Sequence, residues 1–76
     1  MIELFILESC GYCRKVETYL EEHNIPYKKI NISEKSNEDT LIKIGGKRQV
    51  PFLVDRKNNV QMYESDDIIN YLKKFV

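Results

Sequence analysis

Residues 2–13 read Ile2-Glu3-Leu4-Phe5-Ile6-Leu7-Glu8-Ser9-Cys10-Gly11-Tyr12-Cys13, and the change of pattern inside this stretch decides the fold. Up to Leu7 the run is apolar except for Glu3, the pattern of a strand buried on both faces. From Gly11 the pattern turns helical. Cys13, Val16 and Leu20 recur at i, i+3 and i+7, while Arg14, Lys15, Glu17, Glu21 and Glu22 fall outside. Asn24 and Pro26 end this helix, which is expected over 11–24. A buried strand running straight into an amphipathic helix commits the chain to an α/β domain. The next strand, expected over 27–32, then returns parallel to the first through a right-handed crossover.

The remaining residues complete this plan. Ser33 and Ser36 offer hydroxyl caps, and Ser36 with Asp39 has capping-box spacing. Leu41, Ile42 and Ile44 supply the apolar side of a short second helix, which Gly45-Gly46 stops. A strand over 51–55, a polar turn over 56–59 and a returning strand over 60–63 make a hairpin. Ser65 is expected to cap a last helix, with Asp66 and Asp67 in its first turn and Lys73 and Lys74 in its last, as the macrodipole favours. Ile68, Ile69, Leu72, Phe75 and Val76 form its apolar stripe. The order is β-α-β-α-β-β-α, an α/β fold with a four-stranded mixed sheet flanked by three helices. Residues 1–76 are expected to form one domain.

Composition limits what such a domain can do. A chain of 76 residues has a thin core, burying about 60–65% of its unfolded surface. With 42% apolar and 32% charged residues it reads as a soluble globular domain and not as a disordered segment. Twelve Lys and Arg balance twelve Asp and Glu, so charge makes no case for nucleic acid or an anionic membrane. No apolar run approaches the roughly 18 residues of a membrane span. The start, Met1-Ile2-Glu3, carries no basic stretch, so no signal peptide is expected and the location is expected to be cytoplasmic. Monomer is the default state.

Two cysteines are too few for a disulfide scaffold, and a bridge between Cys10 and Cys13 would close a loop too small to gain much by chain entropy. A chemical role is therefore expected. Cys10 falls at the N-cap of the first helix, where unpaired amides point at its sulfur and the dipole is positive, so thiolate is favoured over thiol. Arg14 and Lys15 add positive charge one turn on, against the usual preference for acids in a first turn. Cys13 lies inside the helix and is expected to be the more buried. This gives an attacking sulfur and a resolving sulfur. A zinc site needs three or four protein ligands. The pair supplies two, and the single histidine, His23, lies about three helical turns from Cys10, so no metal is expected. Two ordinary buried cysteines are the plainer alternative, and the strand-to-helix setting weighs against it.

This arrangement resembles the glutaredoxins, small members of the thioredoxin-fold superfamily, over nearly the whole chain. Glutaredoxins carry Cys-Pro-Tyr-Cys after the first strand, matched here by Cys10-Gly11-Tyr12-Cys13. They carry Thr-Val-Pro before the third strand, matched by Gln49-Val50-Pro51. They carry an acidic motif at the start of the last helix, matched by Ser65-Asp66-Asp67. Residues 49–55 and 63–68 are also similar to the N-terminal domain of glutathione S-transferases, which binds glutathione through a Glu-Ser pair. These 76 residues leave no room for the transferases' helical second domain, so a complete transferase is not expected.

Both resemblances imply a glutathione site. Pro51 is expected to follow a cis bond that turns the Val50 backbone toward the sulfurs, to pair with the cysteinyl backbone of glutathione as an added strand does. The helix N-terminus at Ser65 suits the γ-glutamyl carboxylate and Asp66 the γ-glutamyl ammonium, with Glu64 assisting in the transferase manner. Arg48, with Lys47 second, is the cation for the glycyl carboxylate. Gln49 completes the loop side of the site, and Tyr12 packs its ring beside the bound disulfide. The chain departs from the glutaredoxin pattern at four places. Leu7, followed by Glu8, stands where many glutaredoxins have lysine, Gly11 replaces proline, Gln49 replaces threonine, and Tyr63-Glu64 replaces a double glycine.

The expected activity is that of a glutathione-dependent thiol–disulfide oxidoreductase acting on glutathionylated and disulfide-bearing proteins. Glutathione is its co-substrate and no cofactor is tightly bound. Three other readings stay open at this level: a redoxin reduced by thioredoxin reductase in place of glutathione, an iron–sulfur carrier ligated with glutathione between two chains, and a small domain that binds glutathione or a partner with little turnover.

Overall fold

Leu4, Phe5 and Ile6 are buried on both sides of their strand, β1 (Ile2–Ile6), and a strand with two buried faces belongs inside a sheet. A computed structural model, describing residues 1–75, places it there. The sheet order is β2-β1-β3-β4, with β2 (Tyr27–Asn31) parallel to β1 and with β3 (Phe52–Asp55) and β4 (Val60–Met62) antiparallel beyond it. The register pairs Ile2 with Tyr27 on one side of β1, and Leu4 with Leu53 and Phe5 with Phe52 on the other.

Strand alternation sends these residues to two cores. Ile2, Leu4, Ile6 and Leu53 meet Cys13, Val16 and Leu20 of α1 (Gly11–Glu22) and Ile68 and Leu72 of α3 (Ser65–Leu72). Phe5, Phe52 and Val54 meet Ile32 and Leu41, the latter from α2 (Lys35–Gly45). The result is three layers, with α1 and α3 on one face of the sheet and α2 on the other. Glu3, the one interruption in β1, lies half-buried with its carboxylate 2.8 Å from Arg56 Nε. The edge strand β2 exposes Lys28 and Lys29, charges that discourage pairing with another sheet.

The ends of α1 and α3 and the starts of α2 and α3 differ from expectation. Helix α1 stops at Glu22, where Asn24 takes a positive φ of 55° and the Asn24 and Ile25 amides bond back to Glu21 and Leu20 carbonyls. Ile25 then packs with Leu20 in the core, which makes this a Schellman ending with asparagine in the left-handed position. Helix α2 is capped neither by Ser33 nor by Ser36. The Asn31 side chain accepts from the Ser33 amide (2.9 Å), and this turn delays the helix so that Glu34 becomes its N-cap, without a side-chain bond, and Ser36 falls inside. Helix α3 has Glu64 as N-cap and Ser65 as its first helical residue, so Ser65 is not the cap.

The apolar stripes are narrower than the sequence suggests. Leu41 points inward, which turns its neighbour Ile42 about 100° away and leaves it 41% exposed. Phe75 lies in a short 3-10 turn, Lys73–Phe75, that also holds Lys73 and Lys74, and it is 43% exposed. The stripe position assigned to Val76 is outside the described residues.

Two glycines end α2 for different reasons. Gly46 is the C-cap at φ 92°, a conformation only glycine adopts freely. Gly45 makes room: a Cβ on it would lie 2.1 Å from the Tyr63 hydroxyl oxygen. Tyr63 lies across this gap, donates its hydroxyl to the Lys47 carbonyl (2.8 Å) and stacks on Phe52 with ring centroids 4.4 Å apart. At the other end of β3, the buried Asp55 carboxylate accepts from Tyr71 Oη (2.5 Å) and Asn58 Nδ2 (2.8 Å). The Tyr71 bond, then those from Asn58, hold its carboxyl below the usual range. This cluster ties the hairpin to α3.

Candidate active site

Cys10 is the N-cap of α1, with φ −87° and ψ 113°, and its sulfur accepts the Cys13 amide at 3.1 Å. A tight turn sets it there, closed by the Cys10 amide donating to the Leu7 carbonyl (3.1 Å) as β1 ends. The sulfur thus receives one of the helix's otherwise unpaired amides at the positive end of the dipole, an arrangement that favours its anion. Cys10 is half-buried and Cys13 fully buried, 0% exposed. Burial, and next the neighbouring Cys10 sulfur, push the Cys13 thiol well above the ordinary thiol range, so Cys13 is protonated at neutral pH. One sulfur is half-buried at the helix N-terminus, and the other is held as a buried thiol behind it.

Beside the pair lies a cleft of about 470 Å³. Tyr12 lines it from α1, Gln49, Val50 and Pro51 from the loop before β3, and Glu64, Ser65 and Asp66 from the start of α3. Seven residues singled out in the sequence are therefore gathered at one place by three separate segments. The Val50–Pro51 bond is cis, as expected. Val50 and Cys10 both pack against the core under α1 and α3, which brings the loop to the cysteine end of the helix. Tyr12 is 70% exposed, its ring free to lie along a ligand. Glu64 adopts φ 67° and ψ 116°, an unfavourable backbone for a residue with a side chain, at the rim of this cleft.

The charged groups of the site are paired among themselves. Asp66 Oδ1 lies 2.8 Å from Lys15 Nζ, and this pairing lowers the Asp66 carboxyl below the usual carboxylate range. Glu64 Oε2 accepts from Gln49 Nε2 at 2.8 Å. Arg48 does not line the cleft; its guanidinium is held by Glu38 of α2. Lys47 sits 4.8 Å over the Tyr63 ring. The positive charge expected beside Cys10 from Lys15 is thus directed at Asp66. Glu8, the acid nearest Cys10 in sequence, is exposed and accepts from Asn31 Nδ2 (3.4 Å) at the end of β2. His23 stacks on Tyr19 at the far end of α1, centroids 4.2 Å apart, and takes no part in the site. Among the described residues no three His, Cys, Asp or Glu side chains are grouped to hold a metal ion. Among the described residues no helix is long and apolar enough to cross a membrane.

Sequence reading gave Lys15 only the role of a charge near Cys10 and gave Glu38 no role in the site. Their partners lie 51 and 10 positions away, and neither pairing has a local motif.

The sequence profile of the glutathione S-transferase N-terminal domain family matches residues 4–74. The chain belongs to this family. It is also 32% identical over 77 residues to glutaredoxin 1 of Rickettsia prowazekii (strain Madrid E), across 96% of this chain and 78% of that protein. Prostaglandin E synthase 2 of Mus musculus is 30% identical over 77 residues, covering 99% of this chain. Among solved structures, glutaredoxin 2 from Salmonella typhimurium, crystallised in complex with glutathione, superposes with a TM-score of 0.83 at 25% identity over 99% of this chain. The chain spans only 20% of the mouse synthase and 34% of the Salmonella protein. It is a glutaredoxin-like, thioredoxin-fold member of the transferase N-terminal domain family, and the sheet order and three helices agree with that fold.

Proposed function

We propose that this glutaredoxin-like chain is a cytoplasmic, glutathione-dependent thiol–disulfide oxidoreductase. The observation that supports this best is the accessible Cys10 sulfur, receiving the Cys13 amide at a helix N-terminus, beside a cleft framed by cis-Pro51 and by Glu64-Ser65-Asp66. In the first step the Cys10 thiolate attacks the glutathionyl sulfur of a mixed disulfide. A bond forms between the Cys10 sulfur and glutathione, the substrate's disulfide breaks, and the substrate leaves as a thiolate that takes a proton from water. A second glutathione thiolate then attacks the adduct, releasing glutathione disulfide and the Cys10 thiolate.

Cys13 is the alternative resolving group and would leave a Cys10–Cys13 disulfide. Attack requires the thiolate, and burial keeps Cys13 protonated, so resolution by the second glutathione is favoured. The ligand's cysteinyl backbone aligns with Val50, its γ-glutamyl carboxylate with the start of α3, and its ammonium with Asp66 and Glu64.

A specific observation favours a second electron donor. Asp66 and Arg48, the groups for the charged ends of glutathione, are engaged by Lys15 and Glu38. A redoxin fed by thioredoxin reductase would not need them. Steady-state reduction of a glutathionylated peptide separates the two readings. Turnover that saturates with glutathione and gains nothing from thioredoxin reductase with NADPH is expected. Turnover with the reductase alone overturns the glutathione reading.

A further inference from the structure

We propose that Lys15 is an internal competitor for the ammonium group of glutathione, lowering the cleft's affinity for ligands that carry a free amine. The inference rests on the glutathione reading above and names a residue outside the cleft that regulates it. Asp66 lines the cleft in the first turn of α3, and Lys15 reaches it from the neighbouring helix α1. The Nζ–Oδ1 distance of 2.8 Å is that of a direct charge-assisted hydrogen bond. Lys15 therefore presents to Asp66 the same chemical group, a primary ammonium, that the γ-glutamyl end of glutathione would bring.

The other acid of the cleft, Glu64, differs in this respect, because its partner Gln49 is neutral and donates an amide hydrogen. Only at Asp66 does an incoming ammonium meet a positive charge already in place. It either displaces Lys15 or shares the carboxylate with it against like-charge repulsion, and both routes weaken binding. The ion pair is exposed on both sides, with the Lys15 and Asp66 side chains 54% and 82% accessible, so the exchange is reversible and its size is that of a surface pair. A ligand retaining the γ-glutamyl carboxylate but lacking the amine would feel no such competition.

Calorimetric titration of the whole chain at low ionic strength tests this. The probes are S-methylglutathione, whose blocked thiol prevents exchange with Cys10, and its analogue without the α-amino group. Lys15→Met is expected to tighten S-methylglutathione by up to about fivefold, the most that an exposed ion pair gives, and not to tighten the desamino analogue. Lys15→Arg is expected to restore the wild-type value. Weaker or unaltered binding of S-methylglutathione by Lys15→Met overturns the proposal and shows Lys15 serving the ligand's carboxylate or nothing. Equal tightening of both probes also overturns it. If S-methylglutathione binds neither the wild type nor the variant, the glutathione reading itself fails and the competitor role falls with it.

Discussion

Cys10→Ser is expected to lower turnover of a glutathionylated peptide by about 10³-fold or more, with the fold intact by circular dichroism. A serine hydroxyl at the N-cap still accepts the Cys13 amide, so the helix start survives and the loss is chemical. Sulfur is irreplaceable in this role because the step is an exchange between a thiolate and a disulfide. Cys13→Ser should behave differently. Its side chain is buried and its thiol protonated, and the second glutathione resolves the adduct without it. At least half of the wild-type rate is expected to remain with glutathione as reductant. Equal, near-complete losses in both variants would mean that the Cys10–Cys13 disulfide is an obligatory intermediate. Activity retained in Cys10→Ser would remove the assigned nucleophile.

Gly45→Ala is expected to destabilise the domain by about 2–3 kcal/mol, although alanine is the better helix former by about 1 kcal/mol. The added methyl would lie 2.1 Å from Tyr63 Oη, 2.8 Å from Tyr63 Cζ and 3.1 Å from a Phe52 ring carbon. Tyr63 cannot simply swing aside. Its ring is stacked on Phe52, itself 5.7 Å from Phe5, and its hydroxyl is bonded to the Lys47 carbonyl. Moving the ring opens the core under α2 and displaces the segment leading into Glu64 and Ser65, so glutathione binding should weaken as well. For a domain of this size the midpoint of thermal unfolding should fall by roughly 10 °C or more. Gly45→Ala combined with Tyr63→Ala should recover part of the loss, because the clash is gone. A neutral or stabilising Gly45→Ala would show that the Tyr63 ring does not fill this gap.

The same pair of residues shows what the sequence could and could not convey. Gly45 was legible as a helix stop and Tyr63 as the end of a strand, but their contact spans 18 positions and has no periodicity to announce it. The strand-to-helix junction at Cys10 was legible because its cause is local, an apolar run followed by a helical repeat. The parallel pair and the hairpin followed from the chain connections, but the order β2-β1-β3-β4 did not, because no local signal says which strand receives the hairpin. The starts of α2 and α3 were misread for a physical reason. Several side chains near each start can accept a backbone amide, and Asn31 accepts that of Ser33, forming a turn that leaves Glu34 at the cap of α2. Glu64 occupies its N-cap in a backbone conformation its own residue type disfavours, so no propensity points to it. The cleft's residue list came from resemblance. The ion pairs that engage Asp66 and Arg48, with Lys15 and Glu38, are through-space contacts that only the folded chain reveals.

The measurement closest to the core of this account is the relative alkylation rate of the two cysteines at neutral pH. The reduced chain is exposed briefly to limiting iodoacetamide and the modified cysteine is located by peptide mapping. Cys10 is expected to react about 10²-fold faster than Cys13, since its sulfur is half-buried and receives a helix N-terminal amide while the other is a buried thiol. Equal rates, or modification of Cys13 first, would contradict the assignment of Cys10 as the attacking sulfur.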